Sequence, residues 1–366
     1  MERVLVTGGC GFLGTHLVQQ LSAFCKTTHY IDIRDPQHEL AAADSSAVFH
    51  KCSLTEADTV EQIFKVAKPD TVFHLASMID CRPRPSPLVD AVNVGGTDLI
   101  IALCKKFAVK RLIYTSSIEV QYGAQGVGNA CDNCPEDAPY PPFTTQEYQR
   151  TKIAAERLVL AANERSNLQT VSLRPGHIFG PGDDLFFMTS VQACFGESKL
   201  PSLGPKKGAL MSMVYVENMA AAHILAAVQL AKGVPRVAGC AFNIKDFDQN
   251  IVATYHDAGG VGPPWFTLPF WFLYLLVRCA VFAAIVCYDL FGLQILHPKT
   301  GLHEAALSAG LPATVNDRLA KSVLGYRPLV SRGTSNQQCC RWLAGGGARG
   351  AKVKMTPILS GREFIG

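Results

Sequence analysis

Along the first two-thirds of the chain, short runs of β-branched and aromatic residues alternate with stretches whose apolar positions recur every three or four residues. Arg3–Thr7 predicts a first strand, and Phe12–Phe24 a helix with Leu13, Leu17, Leu21 and Phe24 along one face. Tyr30–Ile33 and Thr71–Ala76 read as further strands, and Arg111–Ser116 follows a helix over Leu99–Phe107. Val171–Arg174 is a further strand, entered from a helix over Thr145–Ala162. Beyond it the alternation loosens into strand-like Met213–Val216, a helix over Glu217–Ala231 and strand-like Ala241–Ile244. This pattern predicts an α/β fold: a Rossmann-like, doubly wound parallel sheet with a smaller substrate-binding region woven onto it.

Residues 265–293 break the pattern. Leu268–Tyr288 is long enough to cross a bilayer. Arg278 near its middle costs a spanning helix roughly 2.5–3.5 kcal/mol. Trp265 and Trp271 suit a membrane interface. The favoured reading is a membrane-associated helical segment lying in one leaflet; a buried helix pair is the bland alternative. The organisation expected is therefore a dinucleotide-binding domain over 1–175 and a substrate-binding region over 176–264 and 294–330. The membrane-associated segment covers 265–293, and a basic, disordered tail covers 331–366.

Composition narrows this further. Hydrophobic residues make up 48% and charged ones 17%, which excludes a disordered chain. The net charge of +4 is too small to indicate nucleic acid. It resides in the tail, where Arg332, Arg341, Arg349, Lys352, Lys354 and Arg362 face one acid, Glu363. The thirteen cysteines are scattered and several sit in apolar runs, so reduced thiols and a cytosol-facing body are expected. The N-terminus enters the first strand without an apolar signal region.

Between the first strand and first helix lies Thr7-Gly8-Gly9-Cys10-Gly11-Phe12-Leu13-Gly14, with Gly8, Gly11 and Gly14 three apart. A chain that turns tightly, approaches a pyrophosphate and packs a helix on a strand must omit β-carbons at those steps. The helix N-terminus then offers N–H groups to the phosphates. Asp32 follows eighteen residues after Gly14, where a carboxylate accepts from the adenosine ribose and repels a 2′-phosphate. NAD is favoured over NADP, although Arg34 is placed to pair with such a phosphate.

Of ten tyrosines, Tyr148 alone has a lysine, Lys152, four residues on. On a helix this spacing stacks phenol and ammonium on one face. The cation favours phenolate, bringing the tyrosine pKa toward neutrality for work as a general base. Ser117 ends the preceding strand as a hydroxyl partner. Cys131-x-x-Cys134 has no second pair at zinc-ligand spacing, so no metal site is expected and the pair reads as a peculiarity of the substrate loop.

These residues, with Val72–Ser77, Asn93–Thr97, Ile113–Val120, Leu173–Asp183, Val214–Met219 and Leu324–Pro328, resemble the extended short-chain dehydrogenases. More narrowly they resemble the 3β-hydroxysteroid dehydrogenase family and its decarboxylating sterol-4α-carboxylate branch. The resemblance implies Ser117, Tyr148 and Lys152 as the catalytic set, with Lys152 also at the nicotinamide ribose. It implies Gly8, Gly11, Phe12, Leu13, Gly14 and Asp32 at the dinucleotide, Leu75, Ala76 and Pro175 lining the cofactor cleft, and Asn93 behind the site. It further implies NAD, a sterol or steroid substrate, membrane lipid as a partner and an endoplasmic reticulum location, and it leaves a homodimer open. Ser53 departs from the family's usual acid near the adenine. The alternatives are a Δ5-steroid dehydrogenase/isomerase, for which Glu119 and His177 are acid–base candidates by position only, a sugar-nucleotide epimerase, and a non-catalytic membrane-tethered NAD-binding protein.

Overall fold

The computed structural model describes residues 1–22, 25–36, 47–80, 86–123, 131–144, 146–164, 166–183, 202–203, 210–249, 267–268 and 312–344, with single positions 272, 275, 279 and 290. Its strands are β1 (Arg3–Thr7), β2 (Thr27–Asp32), β3 (Ala47–Lys51), β4 (Thr71–His74), β5 (Arg111–Thr115), β6 (Cys131–Cys134) and β7 (Gln169–Pro175). They continue with β8 (His177–Phe179), β9 (Ser202–Leu203), β10 (Met211–Tyr215), β11 (Cys240–Ile244), β12 (Phe247–Gln249), β13 (Thr267–Leu268) and β14 (Ala313–Val315). The helices are α1 (Phe12–Ser22), α2 (Ala57–Ala67), α3 (Pro87–Asp90), α4 (Gly96–Lys106), α5 (Glu147–Ala161), α6 (Val216–Ala231) and α7 (Arg332–Ala344).

Seven strands form one parallel sheet in the order β11-β7-β5-β4-β1-β2-β3. Alternate residues of each strand face opposite sides. Val4, Val6, Phe73, Ile113, Val171 and Leu173 pack against α1 and α6, whereas Leu5, Val72, Leu112 and Tyr114 pack against α2, α4 and α5. Both faces are covered, which is why these strands read as continuous apolar runs. Strand order reverses between β1 and β4, the place where open α/β sheets bind ligands beyond the strands' carboxyl ends.

The elements fall within a few residues of the expected ones, with instructive exceptions. The helix expected from Leu99 begins earlier, at Pro87, and passes through one π-helical turn, Ala91–Gly95, before α4. Adjacent Gly95 and Gly96 lower helix propensity. Packing overrides it: a β-carbon on Gly96 would stand 3.0 Å from the Leu54 side chain. Among the described residues this stretch, Pro87–Lys106, is the one helix long and apolar enough to cross a membrane. It packs on the sheet through Val89, Ile100, Leu103 and Cys104, all buried.

Three expectations about organisation change. The division at 175 does not follow the sheets: β11 joins the main sheet beside β7. β6, from the first part of the chain, pairs with β14 in a second sheet ordered β12-β10-β14-β6. Within the tail expected to be disordered, Arg332–Ala344 folds as α7 and buries Ser335 and Cys339, and 345–366 lie outside the described residues. Its polar sequence conceals this, since only one narrow face is covered. Cys131 and Cys134, expected as thiols, form a disulfide, brought together within one short strand. Most of 265–293 lies outside the described residues; Phe272, Leu275, Cys279 and Leu290 are helical and exposed.

Candidate active site

The glycine turn sits at the reversal of strand order. Gly8 has φ +76°, and its N–H donates to the Ile31 carbonyl at 2.8 Å. A β-carbon on Gly8 would stand 2.8 Å from the Ala76 backbone nitrogen, and one on Gly14 would stand 2.0 Å from the Gly8 carbonyl oxygen. The turn is thus closed against both α1 and the strand-end residues Leu75 and Ala76. Leu75 donates its N–H to the Thr7 carbonyl at 3.1 Å.

Asp32 ends β2 with its carboxylate buried. One oxygen accepts the Cys10 N–H at 3.0 Å, and the other accepts the Arg34 N–H at 2.9 Å. The Arg34 guanidinium folds back onto the same carboxylate at 3.3 Å while remaining 56% exposed. The carboxylate that would meet a ribose is therefore tied to the turn that would meet the pyrophosphate. Glycine cradle, helix N-terminus and acid fit a dinucleotide without a 2′-phosphate.

The second half of the site forms where β5 and α5 meet. Lys152 is buried, donates to the Thr115 carbonyl at 2.7 Å and to the Tyr114 hydroxyl at 3.3 Å. Its ammonium stands 4.8 Å from the centre of the Tyr114 ring and 5.8 Å from that of Tyr148. Burial pulls its pKa down from the usual lysine range to about 7, opposed by the negative charges of Glu156 and Glu119. Ser117 is buried two residues beyond Thr115, and its Oγ accepts the Glu119 N–H at 3.2 Å. Accepting there, the hydroxyl keeps its own hydrogen to donate.

Side chains flanking the set bind its elements together. Gln149 donates to the carbonyls of Glu119 and Tyr122 at 2.8 and 2.9 Å, fixing α5 to the segment after Ser117. The Tyr148 N–H donates to the Asp80 carbonyl at 3.0 Å. Asn93, within the π-helical turn, accepts from the Met78 N–H at 2.7 Å and donates to Thr151 at 3.0 Å. The strand-end segment after β4 thus joins the dinucleotide turn to the tyrosine helix.

Among the sequence-derived residues, Gly8, Gly11, Phe12, Leu13, Gly14 and Asp32 lie together at the turn, with Leu75 and Ala76 beside them. Tyr148 and Lys152 share a face of α5. Pro175 is buried at the end of β7, paired with Ile244. His177 lies on β8, in register with Met213 of the second sheet. Sequence reasoning missed Tyr114, Gln149, Asn93's turn geometry and the buried pair Glu156–Arg174, whose oxygen and nitrogen approach to 2.6 Å. Glu156 was detectable as a charge one turn beyond Lys152, on a face that must be buried. No group of three or more metal-ligating side chains occurs among the described residues.

A nucleotide-binding turn facing a tyrosine–lysine helix across one sheet defines an oxidoreductase of the extended short-chain type. Residues 5–257 match the model of the 3-beta hydroxysteroid dehydrogenase/isomerase family, and the chain belongs to that family. It is 38% identical over 246 residues to sterol-4-alpha-carboxylate 3-dehydrogenase, decarboxylating, of Saccharomyces cerevisiae, covering 65% of this chain and 68% of that one. To the Homo sapiens protein of the same name it is 32% identical over 344 residues, covering 90% and 85%. Its fold is similar to that of UDP-glucose 4-epimerase from Thermotoga maritima, with TM-score 0.67, 20% identity and coverage of 93% and 98%.

Proposed function

We propose that this chain is an NAD-dependent 3β-hydroxysteroid or sterol dehydrogenase that oxidises and decarboxylates 3β-hydroxy-4α-carboxysterols at the endoplasmic reticulum membrane. Ser117, Tyr148 and Lys152 are its catalytic set. The observation that carries the reading is the burial of Lys152 against the rings of Tyr114 and Tyr148, with its ammonium 5.8 Å from the Tyr148 ring centre. A lysine removed from water and anchored on a backbone carbonyl serves no ion pair at the surface. It stabilises a neighbouring phenolate.

Tyr148 takes the proton of the 3β-hydroxyl, and Ser117 donates to the same oxygen and holds it in place. Bound NAD supplies the hydride acceptor for carbon 3. Gly8, Gly11, Phe12, Leu13 and Gly14 hold its pyrophosphate, Asp32 its adenosine ribose and Lys152 its nicotinamide ribose, with Leu75, Ala76 and Pro175 lining the cleft. Oxidation at carbon 3 makes the 4α-carboxylate a β-keto acid, so carbon dioxide leaves as an enolate oxygen develops where Ser117 and Tyr148 already donate. The identities with decarboxylating sterol dehydrogenases support this branch. The described positions Phe272, Leu275 and Cys279 are helical and exposed, and support lipid contact there.

Incubation with liposomes, NAD and either a 4α-carboxysterol or a Δ5-3β-hydroxysteroid tests the proposal. Carbon dioxide release with NADH formation from the first supports it. Conversion of the second alone selects the isomerising reaction, and turnover of neither leaves a non-catalytic binder.

A further inference from the structure

Tyr148, Lys152 and Glu156 recur at four-residue intervals along α5 and so stand on one helix face. The proton transfer uses the first two. The third has no exposed side-chain surface, yet it carries a full set of partners. Arg174 Nη2 and Nε donate to it at 2.6, 3.0 and 3.1 Å, Ser172 Oγ at 2.7 Å and Tyr140 Oη at 2.8 Å. Burial pushes the Glu156 carboxyl toward protonation, but Arg174 and the hydroxyl donors outweigh it and hold the carboxylate ionised. Arg174 is itself fixed through Nη1, which donates to the Glu136 carbonyl at 2.8 Å.

A buried ion pair is a poor source of stability, because desolvation offsets the attraction between the charges. Its position supplies a different reason. The groups facing Lys152 are Tyr148 and Glu156 on α5, Tyr114 on β5, Glu119 just after β5, and His74 on β4, whose burial keeps it neutral. Only Glu156 and Glu119 among them bring negative charge, and Glu156 is the fully buried one. Water cannot screen it there, so its field reaches the ammonium one turn away.

We infer that Glu156, locked in place by Arg174, is a positioning residue whose carboxylate holds the Lys152 proton to higher pH than burial alone would allow and thereby sets the alkaline limit of the Tyr148–Lys152 pair. The inference rests on the role proposed above for Lys152. Between pH 7 and 9, loss of the Lys152 proton removes both the support for phenolate and a donor to the nicotinamide ribose. The carboxylate postpones that loss.

The test uses the full-length protein and three variants: Glu156→Gln, Glu156→Asp, and the double Glu156→Gln/Arg174→Met, which leaves no orphaned guanidinium should the single variant fail to fold. Two quantities are followed against pH: kcat/KM for alcohol oxidation, and the Kd for NADH by fluorescence titration. In Glu156→Gln and in the double variant, the alkaline limb of kcat/KM moves about one unit to lower pH, and NADH binding at pH 8.5 weakens about tenfold. Glu156→Asp keeps both limbs where the wild type has them. A uniform loss at all pH values with unmoved limbs, or identical behaviour of Glu156→Asp and Glu156→Gln, reduces the pair to structural support and overturns the inference. Full turnover in Lys152→Met would instead remove the catalytic reading beneath it, whatever Glu156 does.

Discussion

Thr115 and His223 meet through the core of the sheet, the threonine hydroxyl 2.7 Å from the imidazole Nε2. The Met219 carbonyl lies 2.8 Å from Nδ1 and can only accept, so Nδ1 carries the hydrogen and Nε2 receives the hydroxyl's. The same Thr115 offers its carbonyl to Lys152. A histidine on α6, on the opposite face of the sheet, thereby braces the backbone that anchors the ammonium. His223→Leu leaves a buried hydroxyl without its partner and is expected to cost about 1–3 kcal/mol in denaturant unfolding. Burial lowers the His223 pKa to about 4, so between roughly pH 6.5 and 4 the unfolded chain takes up its proton first and stability falls with pH. His223→Gln should flatten that part of the acid profile; an unchanged slope would show that His223 is not the group responsible.

Tyr148→Phe removes the proposed base and none of the residues proposed to hold the dinucleotide. Turnover should fall by about 10²–10⁴, while the Kd for NADH stays within a few-fold. Equal losses in both measurements would point to a collapsed helix rather than a missing proton acceptor.

The fold and half of the site were legible in the chain because two periodicities carry them. Alternation of strand and helix stretches marked the doubly wound sheet, and the spacing of Gly8, Gly11 and Gly14 and of Tyr148 and Lys152 marked the residues of the chemistry proposed for it. What lay hidden depends on contacts between residues far apart in sequence. Thr115 acts through its carbonyl, which any residue would provide. His223 comes from a helix more than a hundred positions later. Arg174 reads as part of a strand motif until Glu156 is seen beneath it. The helix at Arg332–Ala344 escaped because its sequence is polar overall, and the place of β11 beside β7 in the main sheet because strand order cannot be read from strand patterns alone.

Gly14 tests the glycine turn by space rather than by backbone conformation. Its β-carbon would lie 2.0 Å from the Gly8 carbonyl oxygen, a backbone atom that cannot swing aside. Gly14→Ala is expected to lower stability by about 1–3 kcal/mol and to abolish NADH binding as the turn opens. Wild-type binding in a folded Gly14→Ala protein would remove the turn from the cofactor site.

Asp32 holds both the Cys10 N–H and the Arg34 side chain. In Asp32→Ala the KM for NAD should rise about ten- to a hundredfold, the worth of charged hydrogen bonds. The released Arg34 should improve use of NADP, and the ratio of kcat/KM for the two cofactors reports the change. An unaltered ratio would show that Asp32 serves only the turn.

Lys152 offers a test that needs no substrate. Its pKa of about 7 in the folded protein compares with ~10.4 for a free lysine. Below pH 7 both states hold the proton and the residue adds no pH dependence. Between pH 7 and 10 the unfolded chain still binds the proton that the folded protein has released, so stability rises with pH. Buried thiols such as Cys104, whose pKa is pushed up, act in the opposite direction above pH 8.5 and obscure this in the wild type alone. The difference between wild type and Lys152→Met cancels them. From pH 7 to 9 the wild type should gain about 1–3 kcal/mol over Lys152→Met in urea unfolding without cofactor. A difference that stays flat over that range would mean the ammonium keeps its ordinary pKa, in contact with water that the burial of this side chain does not allow.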